Sequence, residues 1–171
     1  YLSGSSKSYI PFSASTPVVY KGRAYIGVGG SGNFAPYSGH NISVIDLKSN
    51  TIAYSIETRG YPQASSLLTT AYEKDDQSVY VYFFENLTPG KMRVIKDKPG
   101  QTAPSEVQIE TDNRQNQHIV APTLFTPSGA HAQYVICSPI ADEYGNIYFK
   151  NDSSHMFMIG PTIKELRITQ K

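Results

Sequence analysis

Short runs of apolar and β-branched residues alternate with turn residues along this chain, and helical periodicity of apolar positions is almost absent. Strand-like runs at 15–20 and 23–28 are separated by a Lys-Gly turn, which is the pattern of a β-hairpin. Two further runs, at 42–46 and 51–57, follow a loop rich in Gly, Ser and Asn. The pattern therefore predicts a unit of four short antiparallel strands.

The same four-strand pattern recurs twice further along the chain. The later units have predicted strands at 66–72, 78–84, 91–96 and 106–110, and then at 135–141, 146–149, 155–159 and 162–168. Tyr25, Tyr80 and Tyr148 take the same place in the second strand of their units. Pro17 likewise matches Pro139 in the first strand. Repetition of four-stranded units at this scale is typical of a β-propeller.

We therefore expect an all-β fold of β-propeller type, with four-stranded antiparallel blades. About three blades, a partial propeller, form a single domain over 1–171, with blades near 14–58, 64–111 and 134–169 and an irregular insertion at 112–133. Within that insertion, 119–125 is either an extra strand or a segment packed over the blades. The run 79–84 is apolar on both faces, so we expect neighbouring sheets to cover both sides of its strand. Because a closed propeller needs at least four blades, open blade edges should drive self-association.

Composition excludes several classes of function. Fifteen Lys and Arg residues against 14 Asp and Glu residues give a net charge of +1, so the chain lacks the basic character of nucleic-acid-binding proteins. The longest apolar run, 79–84, is too short to cross a membrane, so we expect no membrane insertion. The single Cys137 permits neither an internal disulfide nor a thiolate-rich zinc site, and we interpret it as a buried apolar residue. Because the chain begins at Tyr1, we expect a mature form or a piece of a longer protein.

Two segments resemble a known repeat. Residues 42–54 combine a strand ending in Asp46, a small turn and a strand closing on an aromatic, and 138–152 combine a Ser-Pro strand, an acidic Gly turn and Ile-Tyr-Phe. Both resemble the repeat of PQQ-like propellers. With 39–46 and 68–72, the chain is similar over nearly its whole length to quinoprotein alcohol dehydrogenase-like propellers in large surface proteins of gut Firmicutes. The resemblance implies a propeller fold and an extracellular or cell-surface location in a bacterium.

The chain departs from the enzymes of that superfamily, which hold a quinone with calcium and carry a Trp-rich docking repeat. This chain has no Trp, and Tyr54 stands where the repeat usually carries one. We therefore expect no cofactor and no quinone chemistry.

Catalytic and metal-binding patterns are also missing from the sequence. The histidines lack ligand spacing, and the carboxylates at 75–76 and 142–145 lie in predicted turns without calcium-loop spacing. A glycosidase would need two carboxylates across a cleft, and nothing in the sequence pairs any two of the candidates Glu57, Asp112, Asp142 and Glu143. We therefore expect no catalytic residue and no metal site.

Tyrosine, with 13 positions, is the one abundant candidate for binding. The loop tyrosines are Tyr37, Tyr61, Tyr72 and Tyr144. Exposed aromatic rings of this kind stack on sugars or anchor peptides, so we interpret these four as ligand-binding residues. The sequence thus favours a non-catalytic extracellular interaction, adhesion or scaffold module for an unknown protein or glycan at the cell surface. The alternative is a degenerate quinoprotein dehydrogenase or a glycan-active enzyme domain.

Overall fold

The computed structural model describes residues 13–29, 39–73, 75–110 and 115–160. Nearly all regular structure in these ranges is β-strand, and their one helical element is the short 3-10 turn η1 (Gly129–His131). The strand pairings found in them are all antiparallel. The predicted all-β class is confirmed. Across the same ranges, no helix has the length and apolar character of a membrane span.

The first sheet has four strands in chain order and begins directly after Pro17. They are β1 (Val18–Tyr20), β2 (Arg23–Val28), β3 (Asn41–Asp46) and β4 (Thr51–Glu57). Because proline has no backbone N–H to donate, strand pairing starts at the residue that follows it. Lys21 and Gly22 join β1 to β2 with positive φ angles of 44° and 75°, as a tight hairpin turn requires. The bounds of β2, β3 and β4 agree closely with the predicted strands, whereas β1 covers only the last three residues of the predicted run 15–20.

The second sheet differs from the prediction in its fourth strand. It contains β5 (Leu67–Thr69), β6 (Val79–Glu85), β7 (Lys91–Asp97) and β10 (Thr123–Phe125), in the order β10-β7-β6-β5. The segment predicted as the fourth strand, β8 (Glu106–Glu110), pairs instead with β9 (Asn116–Val120) in a separate hairpin. The predicted pairing of 106–110 within the second sheet is therefore wrong.

The side chains of β8 explain this difference. Glu106, Gln108 and Glu110 alternate with Val107 and Ile109, so the strand has one polar and one apolar face. Such a strand suits a hairpin with one side in solvent, whereas the second sheet is covered on both faces. The segment 119–125, expected to be an extra strand or a segment packed over the blades, contributes the end of β9 and the whole of β10.

The third sheet contains three described strands and also begins directly after a proline. They are β11 (Ile140–Ala141), β12 (Ile147–Lys150) and β13 (Met156–Ile159). Its first strand is shorter than predicted because Pro139 delays pairing in the way that Pro17 does. The predicted fourth strand at 162–168 lies outside the described residues.

The pairing of the first and second strands shows which tyrosine holds the equivalent position in each sheet. Val18 pairs with Tyr25, and Ile140 pairs with Tyr148, each at the first position of its sheet. In the second sheet the first position is Leu67, which pairs with Tyr82. Tyr82, rather than the predicted Tyr80, is thus the equivalent of the other two tyrosines.

The second sheet lies between the first and the third. One of its faces packs on the first sheet in a cluster that includes Tyr25, Ile42, Val44, Tyr54, Val81, Phe83 and Ile95. The other face packs on the third sheet in a cluster that includes Tyr82, Phe84, Met92, Val94, Ile147, Phe149, Phe157 and Ile159. The rings of Phe84 and Phe149 meet across the second interface at 4.7 Å between centroids. The expectation that the strand at 79–84 is covered on both faces is confirmed, with Tyr80 half-buried at its start.

Candidate functional site

A charged cluster lies between the first and second sheets. Asp97, the last residue of β7, has no exposed surface, and Arg23 at the start of β2 is equally inaccessible. Arg23 donates from Nε to Oδ2 of Asp97 and from Nη2 to Oδ1, both at 3.0 Å. Tyr25 Oη donates to Oδ2 at 2.8 Å, and Tyr54 Oη donates to Oδ1 at 2.7 Å. These four residues form the Asp97 cluster.

The Asp97 carboxylate accepts two hydrogen bonds on each oxygen, which uses its acceptor capacity. The guanidinium of Arg23 also donates from Nη2 to the Gln101 carbonyl at 2.7 Å and approaches Asp46 Oδ2 at 3.4 Å. A general base or nucleophile needs a lone pair that a substrate can reach. The cluster is therefore built to join two sheets rather than to perform chemistry.

Burial and the neighbouring carboxylate keep this cluster in one protonation state. Burial, followed by the charge of Asp97, raises the pKa of Tyr25 and of Tyr54 well above its usual value. Burial is the largest single influence on Arg23 and lowers its pKa, but the hydrogen bond to Asp97 and the charges of Asp97, Tyr54 and Tyr25 together outweigh it, so the pKa of Arg23 is raised. Both hydroxyls therefore stay protonated and remain donors to Asp97.

A second ion pair, buried on its Glu85 side and partly exposed on its Arg93 side, lies at the end of the second sheet opposite Asp97. Arg93 Nη1 lies 2.8 Å from Glu85 Oε1, and Glu85 is almost fully buried. Arg93 also donates to the carbonyls of Ala121 and Glu57, each at 3.0 Å. Glu85 Oε1 accepts the backbone N–H of Arg59 at 3.3 Å. This pair, too, is occupied by structural hydrogen bonds.

Asp142 has a local role in the turn between β11 and β12. Its Oδ1 accepts the backbone N–H groups of Tyr144 and Asn146 at 3.0 and 2.9 Å. Its Oδ2 accepts Asn146 Nδ2 at 2.7 Å and Tyr148 Oη at 3.0 Å. Hydrogen bonds, first of all from the Asn146 side chain, lower the pKa of Asp142. The carboxylate holds the turn, as its sequence position indicates.

The structure brings together two of the four candidate tyrosines. Tyr72, between β5 and β6, donates its hydroxyl to the Tyr144 carbonyl at 2.9 Å, and its ring packs against Gly145. The side chain of Tyr144 itself is 73% exposed. Tyr61 is buried and bridges Asn86 at the opposite end of β6. Tyr37 lies outside the described residues.

The turns of all three sheets meet around Tyr72. Tyr20, just before the β1–β2 turn, donates its hydroxyl to Glu73 Oε2 at 2.9 Å, and Lys21 forms an ion pair with the same carboxylate. Tyr20, Lys21, Tyr72, Glu73 and Tyr144 together form what we call the turn surface. Contacts between loops that are far apart in sequence carry no periodic signal, so sequence patterns do not reveal this surface.

The histidines do not build a metal centre within the ranges that the structure covers. In those ranges no group of three or more His, Cys, Asp or Glu side chains is arranged to hold a metal ion. The rings of His131 and His155 lie in contact, with centroids 3.9 Å apart. His118 is exposed on β9, while His40 is buried beside Tyr61. Of the carboxylates considered for a glycosidase, Asp112 lies outside the described residues.

No known protein-family profile matches this chain, and no curated protein matches it at a significant level. The fold and the placement of its side chains are therefore the observations that bear on function.

Proposed function

We propose that this protein is a non-catalytic interaction module built from propeller-type blades, which acts outside the cell or on the surface of a bacterium. Three antiparallel sheets follow one another in chain order, and the middle one is enclosed by its two neighbours. This is the packing that successive propeller blades make. The PQQ-like repeat that the sequence resembles supports the same architecture.

The observation that carries the non-catalytic proposal is the saturation of the buried carboxylate. Asp97 is the most deeply buried acid of the described residues, and all of its acceptor capacity is used by Arg23, Tyr25 and Tyr54. Active sites instead hold acids and bases that are able to exchange protons with a substrate. An interior used for inter-sheet bonds suits a scaffold that presents its loops.

The turn surface is the binding face of this proposal. Tyr144 offers an exposed ring, and the hydrogen bond from Tyr72 fixes the backbone that carries it. An exposed, rigidly held aromatic ring stacks on the apolar face of a sugar and loses little entropy on binding. The near-neutral chain adds no bias toward charged ligands. The partner is accordingly a neutral surface glycan.

A panel of neutral cell-wall and mucin oligosaccharides tests the proposal by direct binding measurements. The protein should bind at least one of them, and Tyr144→Ala should abolish that binding. Tyr134→Ala is the matched control, because Tyr134 is also exposed but lies beyond the opposite end of β12. Equal binding by the two variants, or no binding by the wild-type protein, would contradict the assignment of this face.

The enzyme alternative has its own readouts in the same samples. Cleavage of a bound oligosaccharide would establish a glycan-active enzyme. Dye-linked oxidation of a primary alcohol after addition of PQQ and calcium would establish a quinoprotein dehydrogenase. The proposal expects neither activity above a sample without protein.

A further inference from the structure

Two kinds of apolar row make the contacts between the sheets. The first kind contains a tyrosine between two aliphatic residues, as in Val18–Tyr25–Val44 of the first sheet and Leu67–Tyr82–Val94 of the second. The second kind is purely aliphatic, as in Leu68–Val81–Ile95 of the second sheet and Ala141–Ile147–Ile159 of the third. Adjacent strand residues point to opposite faces, so each sheet carries one row of each kind on opposite sides.

The two rows are paired in the same sense at both interfaces. The tyrosine row of the first sheet shares a cluster with the aliphatic row of the second. The second sheet's tyrosine row in turn shares a cluster with members of the third sheet's aliphatic row. The rule that follows is simple: the tyrosine face of each sheet covers the aliphatic face of the next.

Two rows remain on the outer faces of the stack. The third sheet carries a tyrosine row, Ile140–Tyr148–Met158, which faces away from the second sheet. The first sheet carries an aliphatic row, Val19–Ala24–Ile45–Ile52, on its outer side. Ile140 is 67% exposed, and Val19 and Ile52 are 59% and 46% exposed. Ala24 is buried, and Ile45, Tyr148 and Met158 are partly buried, so the exposure of both rows is concentrated on their edge strands. Exposed apolar side chains grouped on one face of a sheet are typical of surfaces that become buried on association.

We propose that a second copy of this chain covers both rows. The tyrosine row of one copy packs on the aliphatic row of the other, which continues the interface already present twice within the chain. Each copy carries both complementary rows, so two copies make two equivalent contacts related by a two-fold axis. The first, second and third sheets of both copies then form a closed ring of six. The inference rests on the blade-like stacking in the proposed function, and it assigns the outer faces to self-association rather than to the glycan.

Light scattering after size exclusion tests the association on the whole chain. The protein should have twice the 18.9 kDa mass of one chain, at low salt and at high salt alike, since apolar contacts are not screened by ions. A single-chain mass at high protein concentration overturns the proposal.

Two substitutions test the pairing of the rows. Ile140→Asp disrupts the tyrosine row, and Val19→Asp disrupts the aliphatic row. Each contact of the dimer uses one row of each kind, so a dimer of either variant has damage in both of its contacts. Each should weaken dimer formation at least roughly tenfold, because burying an unpaired carboxylate is costly. Val120→Asp is the control, because Val120 is similarly exposed on β9 but belongs to neither row, and it should dimerise as the wild-type protein does.

Mixing the variants separates this arrangement from other dimers. A mixture of Ile140→Asp and Val19→Asp contains one undamaged pairing, so it should form a heterodimer that neither variant forms with itself. Absence of the heterodimer, or normal dimerisation by either variant alone, contradicts the pairing of unlike rows. Glycan binding in the same monomeric variants keeps the two proposals apart, because Tyr144 lies outside both rows.

Discussion

Asp97 and Arg23 are buried charges that come from different sheets, and their side chains complete each other's hydrogen bonds. A buried ion pair adds little net stability relative to a well-packed apolar pair, because both ions lose their hydration. Removing one partner is a different matter, since the other charge then stays buried and unpaired. The Asp97 cluster therefore specifies how the first two sheets meet, and its residues depend on one another.

Asp97→Ala should lower the free energy of unfolding by about 3–5 kcal/mol, because it leaves Arg23 buried without its main counter-charge. Urea unfolding followed by circular dichroism measures the change. Asp152→Ala is the control at an exposed position and should change stability by less than about 0.5 kcal/mol. Similar losses in the two variants would show that the cluster does not hold the sheets together.

The tyrosines of the cluster predict a loss of stability at high pH. Burial raises the pKa of Tyr25 and Tyr54, so above pH ~10 the unfolded chain releases these protons while the folded chain keeps them. The unfolded state then binds fewer protons than the folded state, so stability falls by about 1.4 kcal/mol per pH unit for each group. Below that pH their contribution is fully present.

Unfolding measured at a series of pH values between neutrality and strong alkali tests this dependence. The double substitution Tyr25→Phe and Tyr54→Phe should flatten the alkaline slope, although it also lowers stability at neutral pH. Tyr134→Phe, at an exposed position, serves as the control. An unchanged slope in the double variant would count against ionisation in the cluster.

Only part of the Asp97 cluster can be predicted from the sequence. Arg23 and Tyr25 are two positions apart in a strand, so their shared face follows from the pleat. Asp46 and Asp97 each end the third strand of their sheet, which a repeat-based prediction would treat alike. Asp46 instead caps a turn by accepting the N–H groups of Lys48 and Ser49, so equivalent positions serve different purposes.

At the level of elements, β2, β3 and β4 of the first sheet are predicted well, because their apolar runs are distinct and the turn between β3 and β4 is short. The second sheet is harder, because its fourth strand, β10, has three residues and follows the β8–β9 hairpin. A run of three residues is too short to show an alternation of apolar and polar positions. Its pairing with β7 depends on the tertiary fold and cannot be predicted from local sequence. Of the candidate binding residues, Tyr72 and Tyr144 meet only because loops from two sheets converge.

Strand β6 has the most completely buried side chains, so its substitution should report on the stack directly. Phe83 is fully buried against the first sheet, and Arg93 lies over its ring at 5.5 Å from the centroid. Phe83→Ala should lower the free energy of unfolding by about 3–5 kcal/mol, the usual range for a large-to-small core substitution. Denaturant unfolding gives the value, with Val120→Ala, at an exposed position that belongs to neither outer row, as the control that should change little. A loss near that of the control would mean that this face is not packed.

For the whole molecule, the sheets form a series in which each interface repeats the one before it. The first and second interfaces pair a tyrosine row with an aliphatic row, and the outer faces carry the remaining row of each kind. Inter-sheet bonds use the buried charges, while the loops at one end of the strands converge on the turn surface. The buried charges thus join the sheets, while the surfaces proposed for association and for glycan binding lie on the outer faces and on the turn surface.

The fold depends on the packing of both faces of the second sheet against its neighbours. Nuclear Overhauser contacts measured in solution test this packing directly. The ring protons of Phe84 and Phe149 should show a strong contact across one interface, because their centroids are 4.7 Å apart. Ring protons of Tyr25 and Tyr54 should contact the methyl groups of Val81 and Ile95 across the other. Contacts on both sides of β6 are the predicted result. Contacts on one side alone would contradict the stack and indicate a sheet with one face in solvent.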